Sequence, residues 1–232
     1  MTGQVRIGDR DVPIVSRTSG RARRITLRVS AADGRVTLTR PVHVTEAAAL
    51  DFARSRADWL DARLADRAAP VVVAPGRTIP VEGVPTGVVA AGAASDVGLR
   101  GGVLGVTARR PGRDAERVLR GRAMSRLTAL CDGHAASLGR PAPRIVLRDP
   151  RSRWGSCSSA GRLMFSWRLI LAPAEVLDYV AAHEAAHLAH MHHGPAFWAE
   201  VARLRPGHEP ARRWLRDRGA GLHLYDFSDG VG

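Results

Sequence analysis

His183–Gly194 reads HEAAHLAHMHHG, five histidines and one glutamate in twelve positions. Either these residues are the polar end of a helix, or some of them hold a metal ion. His183 and His187 are four apart, so on a helix they share one face and stand about 6 Å apart along the axis. Two imidazoles placed this way can converge on one ion about 2.0–2.1 Å from each nitrogen, a geometry that suits zinc. Glu184 leaves the helix about 100° away from His183, where it can reach a water on the ion without binding the ion itself. There it can take a proton during attack and return it to a leaving group. This H-E-x-x-H arrangement is that of zinc hydrolases, chiefly metalloproteases. The neighbouring residues in YVAAHEAAHLA are otherwise apolar, which implies a largely enclosed helix. An unpaired carboxyl and two imidazoles would be costly to bury there without a ligand.

A catalytic zinc takes three protein ligands and leaves its fourth position to water. His190 continues the face of His183 and His187, but lies about 10 Å along the axis from His183, too far to share an ion. His192 and His193 come where the helix should end. Gly194 and Pro195 fix a turn directly behind His193, and Pro195 can open the next helix, PAFWAEVARL. His193 is therefore the best third ligand on this reasoning, with Glu200, Glu209 and His192 as the alternatives.

Upstream, RIVLRD reads as a strand, PRSRWGSCSSAG as a loop and RLMFSWRLIL as a second strand. The histidine helix then runs through APAEVLDYVAAHEAAHLAHM, with Glu175 in its first turn, where an anion is favoured. A long helix is predicted from Asp114 to Ser137, and His134 on its apolar stripe reads as a satisfied core or rim residue. Cys131 and Cys157 have no metal-ligand spacing and read as small buried side chains.

The first forty residues alternate: Ile25, Leu27 and Val29, then Val36 and Leu38, flank the turn AADG, giving a hairpin with Arg24 and Arg28 outward. Thr45 is the predicted N-cap of one long helix through EAAALDFARSRADWLDARLADR. From Pro70 to Gly112 the chain is rich in Gly and Pro with short Val runs, which reads as small strands and tight turns. The boundary is placed at 112: a β-rich N-terminal lobe with one helix over 1–112, and a catalytic domain over 113–232.

Apolar residues make up 45% of the 232 positions and charged residues 25%, the balance of a soluble globular protein. No apolar run is long enough for a membrane span, no signal peptide is visible at the start, and a cytoplasmic location is expected. The formal charge of +13 raises nucleic acid as a partner. All the basic residues are arginine, however, and they are scattered, with short knots at Arg21–Arg24 and Arg148–Arg153. A solvated or acid-attracting surface fits that distribution better than a nucleic-acid groove.

The stretch RWGSCSSAGRLMFSWRLILAPAEVLDYVAAHEAAHLAHMHHGPAFW, Arg153–Trp198, resembles the YgjP-like metallopeptidase family, a group allied to SprT-like and M48-type zinc proteases. The likeness extends from about Val12 to Leu215. It implies an α+β protein with a zincin-like catalytic half, a small sheet plus an active-site helix, preceded by a hairpin-rich lobe. It implies Zn2+ on His183, His187 and His193, Glu184 as the catalytic residue, and a peptide or protein substrate. RLMFSW would be the edge strand beside the cleft, with RWGSC as a further lining or Trp154 in the core. Phe197 and Trp198 match the family's FW pair and read as packing. Ala185, Ser166 and Gly194 depart from its usual Leu, Asn and Ser. Two other readings follow from the residues: a metal-dependent phosphohydrolase acting on nucleotides, suggested by RDPRSR, and a nucleic-acid-binding module with a structural zinc. The kinship with SprT-like proteases, some of which act on DNA-bound proteins, adds to the last.

Overall fold

The computed structural model describes residues 2–7, 10–30, 34–65 and 69–229. The fold is mixed α+β, with short helices and several small sheets in two compact units, Met1–Ala69 and Pro70–Gly232. The sequence reading drew the boundary at 112 instead. In the structure Leu104 and Val106 share a core with Ala115 and Leu119. Thr107 donates its backbone N–H to Asp114 at 3.0 Å and its hydroxyl to the same carboxylate at 2.5 Å. The Gly- and Pro-rich strands are thus bound to the helix that follows them.

In the first unit, β1 (Thr2–Ile7), β2 (Arg10–Thr18), β3 (Thr26–Val29) and β4 (Val36–Arg40) form a sheet in the order β1-β2-β4-β3. The expected hairpin is β3–β4, with Leu27 opposite Leu38. Its turn lies mostly outside the described residues, although Gly34 has a positive φ of 69°. Alternation places Val5, Val12, Ile14, Val36 and Leu38 inward against Ala49, Ala53 and Leu60. Those last three come from α1 (Glu46–Arg54) and α2 (Ala57–Ala65). The Thr45 hydroxyl caps α1 by accepting the N–H of Ala48 at 3.2 Å. One long helix was expected, and two short ones are found. At the break the Ser55 hydroxyl donates to the Phe52 carbonyl at 2.8 Å, and Arg56 N–H turns back to Ala53. Such local bonding by serine competes with a continuing helix. The expected end of that helix, residues 66–67, lies outside the described residues.

The second unit opens with β5 (Val71–Val72), β6 (Thr78–Val81), β7 (Val84–Ala90), β8 (Gly98–Arg100) and β9 (Val103–Val106). Strands β6 to β9 form one sheet, ordered β6-β7-β9-β8. The long helix α3 (Pro111–Ser137) follows, then β10 (Ile145–Arg148), β11 (Gly155–Cys157) and β12 (Leu163–Ser166). Next come a 3-10 turn over Trp167–Leu171, α4 (Ala174–Ala186), α5 (Pro195–Leu204), α6 (Glu209–Arg218) and β13 (Tyr225–Asp226), which pairs with β5. Val73, Leu119, Leu127, Phe165, Trp167, Leu177 and Phe197 are among the buried residues of a single core. Among the described residues no helix is long and apolar enough to cross a membrane.

Three differences from the sequence reading bear on the site. The second strand ends at Ser166, and the apolar run WRLIL becomes a 3-10 turn. The three-stranded sheet is ordered β10-β12-β11, so RLMFSW lies in its centre and the edge strand on the side of the histidine helix is β11, from RWGSC. The histidine helix stops at Ala186 with His187 as its C-cap, rather than continuing to Met191. Its start is held by a two-residue turn, Glu82–Gly83, with φ of 50° and 81°. A Cβ on Gly83 would come within 2.9 Å of the Cα of Pro173, the residue that opens α4. Glu82, unusual at positive φ, is tied down by Arg122 and Arg126 of α3 at 2.6 and 3.0 Å and by Ile170 O at 2.7 Å.

Candidate metal centre

Helix α4 carries His183 and Glu184 on its last full turn, and His187 closes it. No Gly or Pro marks the stop. The chain instead tightens after the helix, with Leu188 N–H on Ala185 O at 2.8 Å and His190 N–H on Ala186 O at 2.9 Å. This turn brings the His190 carbonyl to the His187 Nδ1 at 3.0 Å. The chain then returns so that His193 Nε2 stands 3.2 Å from His183 Nε2. Gly194 and Pro195 begin α5 immediately afterwards, as the sequence predicts.

One nitrogen from each of His183, His187 and His193 lies within 4.8 Å of the other two. Among the described residues this is the group of His, Cys, Asp or Glu side chains placed to share an ion. Two nitrogens each about 2.0–2.1 Å from one tetrahedral ion would stand about 3.3 Å apart, so the 3.2 Å pair fits that arrangement. The backbone bond to His187 Nδ1 commits that nitrogen as the donor, leaving Nε2 with the lone pair. The residues present therefore fit a divalent ion of the zinc type.

Phe197, fully buried on α5, forms the floor of the cluster. Its ring centroid lies 4.9, 4.5 and 4.6 Å from those of His183, His187 and His193. Trp198 stands 5.7 Å from His183 and is covered on its outer side by the Arg212 guanidinium at 4.2 Å. Tyr179 meets the edge of His183 and stacks on buried His208.

Glu184 is 5% exposed, and its Oε2 has no hydrogen-bond partner among the described residues. Burial pushes its pKa up to about 8, partly opposed by the charge of Arg153. Burial, followed by the charges of His187 and His193, pushes His183 down to about 4, so its ring is neutral at pH 7. Once ionised, a buried carboxyl with a free Oε2 beside three converging imidazoles can accept a proton from a water held in front of it.

Gly155 is the neighbour that the sequence reading left undervalued. It lies in β11 rather than in a turn, and a Cβ there would fall 2.6 and 2.7 Å from the Cγ and Cδ of Glu184. A glycine inside a strand often marks such a close approach, and that signal was present in RWGSC. Gly155, Ser156 and Cys157 line a cavity of about 280 Å³ with His183, Glu184, His187, Met191 and His193. An adjoining cavity of about 220 Å³ is bounded by Trp154, Tyr179, Val180 and Leu215 and shares Gly155, His183 and Glu184. Cys157 was expected to be buried; it is half-buried and faces the first cavity.

The other candidates lie elsewhere. Glu200 pairs with Arg203 at 2.6 Å, Glu209 stands 3.7 Å from His208, and His192 is exposed. His190 contributes its carbonyl rather than its ring. His134 is satisfied by Asp178 at 2.8 Å, and Cys131 is fully buried. Ser166 has no exposed surface.

No curated protein matches the chain closely enough to count as a relative. Among solved structures, the crystal structure of the metallopeptidase zymogen of Pyrococcus abyssi abylysin is similar over 39% of this chain and 93% of that one. The identity is 21% and the TM-score 0.36. The profile of the YgjP-like metallopeptidase domain matches residues 23–218, which covers part of the first unit, most of the second and the whole histidine cluster. The chain belongs to the YgjP-like metallopeptidase family.

Proposed function

We propose that the chain is a zinc-dependent peptidase in which His183, His187 and His193 hold the ion and Glu184 is the general base. The observation that carries this reading is the convergence of three imidazole nitrogens within 4.8 Å beside a buried carboxyl whose Oε2 has no hydrogen-bond partner among the described residues. Zinc, when bound, supplies Lewis acidity that polarises the scissile carbonyl and lowers the pKa of water toward about 7. Glu184 Oε2 accepts the proton of the attacking water and delivers it to the departing amine. Its burial excludes competing solvent. The His190 carbonyl and the Phe197 floor hold the imidazoles in register while this happens.

Among the described residues β11 pairs with β12 alone, which leaves its other edge to pair with an extended peptide. This places the substrate backbone beside Gly155–Cys157, within the cavity that holds Glu184 and the histidines. A small sheet beside the helix that carries His183 and Glu184 supports a zincin-like reading of this half. The zinc-loaded Glu184→Gln variant should retain its metal and cleave no member of a peptide library that the wild type cleaves. Retained turnover, or loss of zinc from that variant, would overturn the assigned role.

A further inference from the structure

Beside the histidine cluster the second unit contains a larger cavity, of about 470 Å³, between the loop after α3 and the turn joining β11 to β12. Arg140, Arg144 and Arg162 line it together with Leu188, and no acidic residue does. None of the three guanidinium groups has an ion-pair partner among the described residues. Arginines elsewhere in the unit do: Arg122 and Arg126 hold Glu82, Arg168 holds Asp149, and Arg205 holds Asp178. Three uncompensated cations around one concavity leave a concentrated positive potential there.

The cluster is built on fixed backbone. Gly139, at φ +63°, ends α3 in a Schellman motif: Gly139 N–H bonds Ala136 O at 3.0 Å and Arg140 N–H bonds Ala135 O at 2.9 Å. Pro141 and Pro143 stiffen the loop between Arg140 and Arg144. The Arg144 carbonyl accepts Leu163 N–H at 3.0 Å, which ties that loop to β12. Arg162 closes the β11–β12 turn, exchanging bonds with Ser158 at 2.9 and 3.1 Å. Binding here would order side chains only, since the backbone is already in place.

The position matters as much as the charge. The turn that carries Arg162 directly continues the edge strand lining the histidine cavity, and Leu188 directly follows His187. A chain paired with β11 and continuing past Cys157 runs toward the arginines. We propose that this cavity is a carboxylate-binding subsite that takes an Asp or Glu side chain of the peptide substrate a few residues from the scissile bond. The proposal rests on the peptidase reading for its substrate. Guanidinium groups bind carboxylates through charge-assisted hydrogen bonds.

Two measurements on the full chain test it. In the first, a proteome-derived peptide library is digested by zinc-loaded wild type and by the Arg140→Gln/Arg144→Gln/Arg162→Gln variant. The wild type should enrich Asp and Glu at one position near the cut by at least threefold, and the variant should cleave without that enrichment. The second measures binding by polarisation to the Glu184→Gln protein, using labelled octapeptide pools fixed with Glu or with Gln at one position. The Glu pool should bind at least fivefold more tightly, and the difference should fall below twofold when the three arginines are replaced. A control with Arg77→Gln, Arg109→Gln and Arg213→Gln, equal in charge and exposed elsewhere, should keep the preference. Cleavage with no acidic enrichment overturns the subsite while leaving the peptidase reading intact. If the wild type cleaves nothing, the peptidase reading fails, and the binding comparison alone decides the pocket. A Glu preference that survives the triple replacement, or is lost equally in the control, overturns the proposal. So does a labelled oligonucleotide that loses more affinity than the Glu pool on that replacement.

Discussion

Replacing Glu184 with glutamine in metal-stripped protein should raise its stability, and by more the higher the pH. In the folded chain burial lifts this carboxyl from 4.5 to about 8. The folded state therefore holds a proton that the unfolded state gives up. The neutral carboxyl is tolerated fully below pH 4.5, and that stability is lost as pH rises from there through about 8. At about 1.4 kcal/mol per pH unit the full linkage is about 5 kcal/mol, of which about 4 kcal/mol develops between pH 5 and pH 9. Glutamine has nearly the same shape and no charge to bury, so it removes this dependence and keeps the packing. Urea unfolding after chelation, at pH 5, 7 and 9, reads the effect through tryptophan fluorescence. Four of the five tryptophans, Trp154, Trp167, Trp198 and Trp214, lie in the unit that carries the site. The two proteins should differ by about 1 kcal/mol at pH 5, with the variant ahead by about 5 kcal/mol at pH 9. Titrating groups that do not feel the Glu184 charge, His183 included, cancel in the comparison. A difference that stays constant from pH 5 to 9 would refute the claim that the carboxyl is buried without a partner.

Two further substitutions test the surroundings of the site. Gly155→Ala places a methyl group against the Glu184 side chain, so kcat/KM should fall by about a hundredfold or more while elemental analysis still finds the metal. Full activity would mean that the carboxyl does not sit where the structure puts it. Phe197→Ala removes the ring on which all three imidazoles rest and should cost about 3–5 kcal/mol in chemical unfolding. It should also weaken metal retention against a competing chelator by about tenfold or more. Unchanged retention would make Phe197 a core residue with no hold on the ligands.

The parts of this structure that were legible in the sequence are those that repeat a local rule. Thr45 caps a helix, α3 keeps its apolar stripe to Ser137, and four-residue spacing puts His183 and His187 together. The grouping of His193 with them followed from Gly194 and Pro195, which mark where the chain must turn. What escaped was set by tertiary packing. LAHM suits a helix as well as a turn, and what distinguishes them is the tightened backbone bonding of Leu188 and Ala189 together with the bond between His187 Nδ1 and the His190 carbonyl. WRLIL is as apolar as a strand, yet Trp167 leaves β12 for a 3-10 turn inside the core. Strand β11 has three residues, too few for alternation to show, and the edge position that the resemblance implies for RLMFSW falls to it instead. Ser55 broke a helix whose apolar spacing continued across it. The three arginines around the large cavity are far apart in sequence on one side, and only the fold joins Arg140 and Arg144 to Arg162.

The most direct test of the central claim is zinc content by elemental analysis, on wild type and His193→Ala purified side by side under metal-replete conditions. The account predicts about one zinc per wild-type chain and little or none in the variant, because three nitrogens are needed to close the site. Wild type without zinc, or equal zinc in both proteins, would contradict it.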